Sequence, residues 1–76
     1  PMLGLTPREA EVAVWLARGR TNAEIATILA MRPRTVEKHV ENILAKFGAE
    51  NRTEAAMLIA GAVKMATHEG PAARKR

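Results

Sequence analysis

Apolar residues recur along this chain at helical spacing and not in alternation. Val36, Val40, Ile43, Leu44 and Phe47 follow i, i+4, i+7, i+8 and i+11, a single stripe on one helix face. Val12, Trp15 and Leu16 form a similar stripe upstream, and Ile25, Ala26 and Leu29 form another that leaves Ile28 outside. β-Branched and aromatic residues never alternate over a useful length, so the pattern predicts an all-α fold. The stripe residues are expected in the core. Trp15 belongs with them, because one Trp and one Phe cannot build the aromatic array of a single-strand binder.

Punctuation places the ends. Thr6 caps a first helix, Pro7 takes its first position, Glu9 closes a capping box and Gly19 follows Arg18 as the stop. Thr21-Asn22-Ala23-Glu24 repeats the box and opens a short second helix to about Ala30. Arg32-Pro33 starts a third, which Gly48 ends. Asn51-Arg52-Thr53-Glu54 caps a fourth helix reaching Met65 or Ala66. Residues 1–66 are therefore expected to form one helical domain and 67–76 a basic flexible tail.

Composition narrows the chemistry. The 76 residues support one modest core. Cys is absent, which excludes thiolate metal sites and suits a reducing, cytoplasmic setting. Ser, Asp, Tyr and Gln are absent too, removing the usual nucleophiles and the Asp of most catalytic triads. His39 and His68 have no neighbours at metal-ligand spacing. No enzyme, metal or other cofactor is expected. The longest apolar run, Ala55 to Val63, is too short to span a bilayer, so no membrane partner is expected. Position 1 is Pro, and the chain is read as an excised or processed piece of something longer. Net charge is +4, but Arg74, Lys75 and Arg76 supply three of those charges, so everything before them carries +1. The basicity is mostly a tail, and the distribution over faces decides the rest.

Two helices joined by the short turn Ala30 to Arg32 have helix-turn-helix spacing. Opposite its apolar stripe, the third helix carries Arg34, Lys38, Glu41, Asn42 and Ala45, with Thr35, His39 and Lys46 on one flank and Glu37 on the other. A solvated face would look similar. Yet forked, point-charge, amide and hydroxyl groups in the first turns are what a recognition helix presents to base edges. Arg34, Lys38 and Lys46 would displace phosphate counterions, and Thr21 and Asn22 would offer the N–H groups of a helix start to a phosphate.

Leu5-Thr6-Pro7-Arg8-Glu9-Ala10-Glu11-Val12, Thr21-Asn22-Ala23-Glu24-Ile25-Ala26, Arg34-Thr35-Val36-Glu37-Lys38-His39-Val40, Ile43 to Gly48 and Asn51 to Ala56 together resemble the LuxR-type helix-turn-helix domain. That domain is the C-terminal DNA-binding module of quorum-sensing receptors and of NarL/FixJ-type response regulators. The resemblance implies a four-helix domain whose third helix enters the major groove and whose fourth dimerises. By position it puts base reading at Glu37, Lys38 and Glu41, and phosphate contacts near Thr21, Asn22, Arg34, Thr35, His39 and Lys46. Asn42 joins the base-reading set from its place on the outward face. Three positions depart from the family pattern. Residues 37 and 41 are often basic and here are both Glu, and the cap before Pro33 is often Ser and here is Arg32.

Ala55 to Val63 is apolar all the way round, so the fourth helix needs a second covered face. A homodimer through Ala56, Ile59, Ala60 and Val63 is expected, with small residues allowing close approach. The function read from all this is sequence-specific double-stranded DNA binding as a dimer in transcription regulation. The chain would be the effector end of a larger regulator, with RNA polymerase a further candidate partner. No small-molecule ligand is expected in this segment, and with no Asp it has no phosphoacceptor aspartate. The alternatives are a dimerising interaction module whose Glu37 and Glu41 reflect lost DNA binding, and a region-4-like sigma factor domain, against which His39 and the Ile43 to Gly48 ending argue.

Overall fold

A computed structural model describes residues 4–62. Helix α1 spans Pro7–Ala17, α2 Asn22–Leu29 and α3 Pro33–Phe47. A fourth helix, α4, covers residues 52–62, and its continuation to Met65 or Ala66 lies outside the described residues, as do Val63, His68 and residues 67–76. The described residues contain no strand.

The capping boxes form as the sequence predicts. The Glu9 N–H donates to Thr6 Oγ1 at 3.1 Å while the Thr6 N–H donates to Glu9 Oε1 at 3.0 Å. Thr21 and Glu24 repeat the arrangement at 3.1 and 2.9 Å. At the start of α4, Asn51 Oδ1 accepts from the Glu54 N–H at 2.8 Å. The Glu54 carboxylate reaches back one residue further than a box requires, to the Glu50 N–H at 2.7 Å. Helix α1 stops one residue before Arg18, which is its C-cap. Gly48 ends α3 at φ 67, a left-handed position that costs glycine little. Ala30 ends α2 at φ 56, the same conformation in a residue that has a Cβ, and this sharp corner forms the turn into α3.

Helix α3 packs against both α1 and α2. The core comprises Leu5, Val12, Ala13, Leu16, Ile25, Ala26, Val36, Val40, Ile43, Ala55 and Ile59. Trp15, Leu29, Leu44 and Phe47 lie half-buried around it, so Trp15 is a rim residue. Its ring carries the Arg18 guanidinium carbon 5.2 Å from the ring centroid.

The fourth helix corrects one expectation. Ile59 was expected across a dimer interface, but it is 1% exposed inside its own chain. Ala55 and Ile59 stand four apart and form the inner stripe, with Ala56 half-buried at its edge. Met57, Leu58, Ala60 and Gly61 lie outward, Met57 at 69% exposure. The second apolar face exists among the described residues: it keeps Ala60 of the expected set, with Met57, Leu58 and Gly61 in place of Ile59.

Candidate nucleic-acid interface

The α3 stripe turns Val36, Val40 and Ile43 inward, so the opposite arc of the helix faces away from the bundle. Arg34, Thr35, Glu37, Lys38 and Glu41 are all exposed. Together with Arg32 from the turn they line one shallow concavity. Three of the four side chains expected at base edges, Glu37, Lys38 and Glu41, are thus brought together beside Arg34 and Thr35. Arg32, read in the sequence only as a poor cap, joins them. It makes no side-chain capping bond to α3.

Two expected site residues lie elsewhere. Lys46 was expected at the phosphate backbone, but its ammonium donates to Glu9 Oε1 at 2.6 Å and to the Gly4 carbonyl at 3.1 Å. Glu9 is only 4% exposed, so the pair forms a strut between α1 and α3. The Lys46 hydrogen bond, followed by that from the Thr6 N–H, holds the Glu9 carboxyl below its ordinary value of 4.5 against the opposing effect of burial. The Asn42 amide adds a smaller lowering, and Asn42, expected at a base edge, is half-buried. Helical period alone placed both residues near the outward arc. A buried carboxylate on α1, which that period cannot see, draws Lys46 sideways.

At the start of α2, the Thr21 N–H and hydroxyl are both engaged with Glu24. The groups a helix start leaves without an intrahelical partner are therefore the N–H groups of Asn22 and Ala23. The Asn22 side chain is fixed as well. Its Oδ1 accepts from Arg52 Nη1 at 2.7 Å, and Arg52 Nη2 donates to the Arg20 carbonyl. With the acceptor edge occupied, the Asn22 –NH2 is the edge left for an anion. Arg52 is a residue that sequence reasoning missed as a site element. It read as part of the α4 cap, and nothing local signals a contact thirty residues back.

His39 is half-buried, and its Nδ1 is enclosed with no hydrogen-bond partner among the described residues. Among the described residues no group of three or more His, Cys, Asp or Glu is arranged to hold a metal, and no helix is long and apolar enough to cross a membrane.

Comparison with known proteins identifies the architecture. Residues 3–59, well over half of the chain, match the GerE family of bacterial regulatory proteins, luxR family. The transcriptional activator protein BjaR1 of Bradyrhizobium diazoefficiens is 45% identical over 58 residues, covering 76% of this chain and 24% of that protein. The regulatory protein SdiA of Escherichia coli K12 is 41% identical over 56 residues, 74% of this chain and 23% of its own length. The transcriptional regulatory protein YhcZ of Bacillus subtilis 168 is 45% identical over 53 residues, 70% and 25% of the two chains. The chain spans about a quarter of the length of these relatives. With the capped α1, the α2–turn–α3 corner and this match agreeing over the same residues, the chain belongs to the luxR family of bacterial regulatory proteins, regulators rather than enzymes.

Proposed function

We propose that this chain binds double-stranded DNA through α3 and serves as the DNA-binding end of a larger, cytoplasmic transcription regulator. The observation that carries this reading is the concavity on the outward face of α3, where Arg34, Thr35, Glu37, Lys38 and Glu41 converge beside the turn. Lys38 reads a base edge as a donor, and Glu37 and Glu41 accept from cytosine amino groups. Arg34 and Thr35 contact phosphate, the Asn22 –NH2 and the N–H groups of Asn22 and Ala23 take a second phosphate, and His39 contacts the backbone from the flank of α3. Thr21 acts by shaping that helix start. Lys46 belongs to the scaffold behind α3, because Glu9 holds it, and the half-buried Asn42 lies beside it rather than at a base edge. The relatives' names describe transcriptional regulators, and their greater length leaves room for the part that senses a signal.

The outward face of α4 is the dimer contact in this reading, centred on Met57, Ala60 and Gly61 with Leu58 beside them. One short helix per subunit buries less than the ~1,200 Å² typical of stable complexes, so dimerisation is weak in solution and completed on DNA. Two-fold pairing then sets two half-sites about one helical turn apart.

Selection from a pool of randomised duplexes tests the reading. It should enrich two related half-sites in inverted order. On the selected site Lys38→Ala should lose about 1–3 kcal/mol, more than it loses on random duplex. No enrichment, together with binding that does not respond to salt, would leave α3 as a solvated face.

A further inference from the structure

Three of the four helices carry a side-chain cap, and the one without it is α3. Thr6, Thr21 and Asn51 each accept a hydrogen bond from the third residue after them, whereas Arg32 makes no such bond to α3. Arg32 nonetheless has the extended backbone of an N-cap, φ −77 and ψ 143, so a Ser or Thr would cap here without rearrangement. The chain leaves a stabilising position unused at the helix start that borders the candidate interface.

Charge explains what stands there instead. Within the concavity, Arg34 and Lys38 are balanced by Glu37 and Glu41, so those four side chains sum to zero. Lys46 cannot tip the balance, because its ammonium is committed to Glu9. Arg32 supplies the one surplus positive charge among the lining residues. It is exposed, and the ion pairs of the described residues, Arg8–Glu11 and Lys46–Glu9, leave it out. A face that approaches a polyanion with two carboxylates on it needs that surplus.

We propose that Arg32 is a DNA-backbone contact of this chain, a guanidinium placed at the cap position at the expense of helix stability to offset Glu37 and Glu41. This rests on the DNA-binding reading above. A capping residue acts on folding and binding in the same direction, whereas Arg32 acts on them in opposite directions.

The test compares Arg32→Ser, Arg32→Gln and Arg32→Lys with the parent in thermal unfolding and in salt titrations of binding to random duplex DNA. Arg32→Ser should raise Tm by about 4–8 °C through the new cap. It should also weaken random-duplex binding roughly five-fold near physiological salt and lower the salt slope by about one. Arg32→Gln should lose the same affinity without the gain in Tm, and Arg32→Lys should keep the slope. An unchanged slope in Arg32→Ser, or Tm and affinity falling together, would overturn the proposal. A parent that leaves random duplex unbound even at low salt would overturn the DNA-binding reading itself.

Discussion

The ammonium of Lys46 sits 2.6 Å from Oε1 of Glu9, a carboxylate with almost no solvent access, and so ties the far end of α3 to the first turn of α1. The same carboxylate accepts the Thr6 N–H, so one buried acid serves both as helix cap and as anchor for the recognition helix. Lys46→Met leaves that acid without its cation. It should cost about 2–3 kcal/mol in denaturant unfolding, near the low end for a broken buried pair because the lysine side is partly solvated. The salt slope of DNA binding should stay that of the parent. A surface phosphate contact would give the reverse, little change in stability and a slope lower by about one.

Acid should act through the same carboxyl. Its folded pKa lies below the ordinary 4.5 of an unfolded glutamate, so its protonation opposes folding. The stabilisation is complete above that value and is lost as pH falls through the lower folded pKa. Glu9→Gln should be less stable than the parent at pH 7, and the gap should narrow steadily in melts between pH 5 and pH 3. A gap that stays constant across this window would remove Glu9 from the acid response.

Ala30 holds φ 56 at the corner between α2 and α3. A residue with a Cβ is strained there by about 1–2 kcal/mol, while glycine loses about 0.4–1 kcal/mol more to unfolded-chain entropy. Ala30→Gly should therefore stabilise the chain by a net amount of about 0.5–1 kcal/mol, read as a modest rise in Tm. DNA affinity should not fall.

The two faces of α4 should separate in mutation. Ile59→Ala removes a core side chain and should cost about 2–5 kcal/mol of stability. Ala60→Glu, on the exposed face, should leave the fold intact and set two like charges against each other across a two-fold contact. Sedimentation of the free chain should then shift to monomer, and binding to a palindromic site should lose its cooperativity. A folded Ala60→Glu variant that binds the full palindrome like the parent would place the interface elsewhere.

Local rules made the fold readable. Caps at Thr6, Thr21 and Asn51, the stop at Gly48 and the Val36–Val40–Ile43 stripe each depend on residues within a turn or two, and each appears where the pattern puts it. Long-range contacts were harder to read. Lys46 and Arg52 both look like surface cations in sequence, and each spends its charge on a partner at least thirty residues away. Ile59 shows the same limit from the apolar side. In a run that is hydrophobic all round, period gives no phase, and only packing against the core selects Ala55 and Ile59 as the inner pair.

Amide chemical-shift mapping of the 15N-labelled chain with a short random duplex at low salt tests the central claim most directly. The DNA-binding reading predicts that the largest shifts fall at Asn22 and Ala23 and along Arg32 to Glu41, with Lys46 little changed. Shifts that leave α3 and the start of α2 untouched would contradict it.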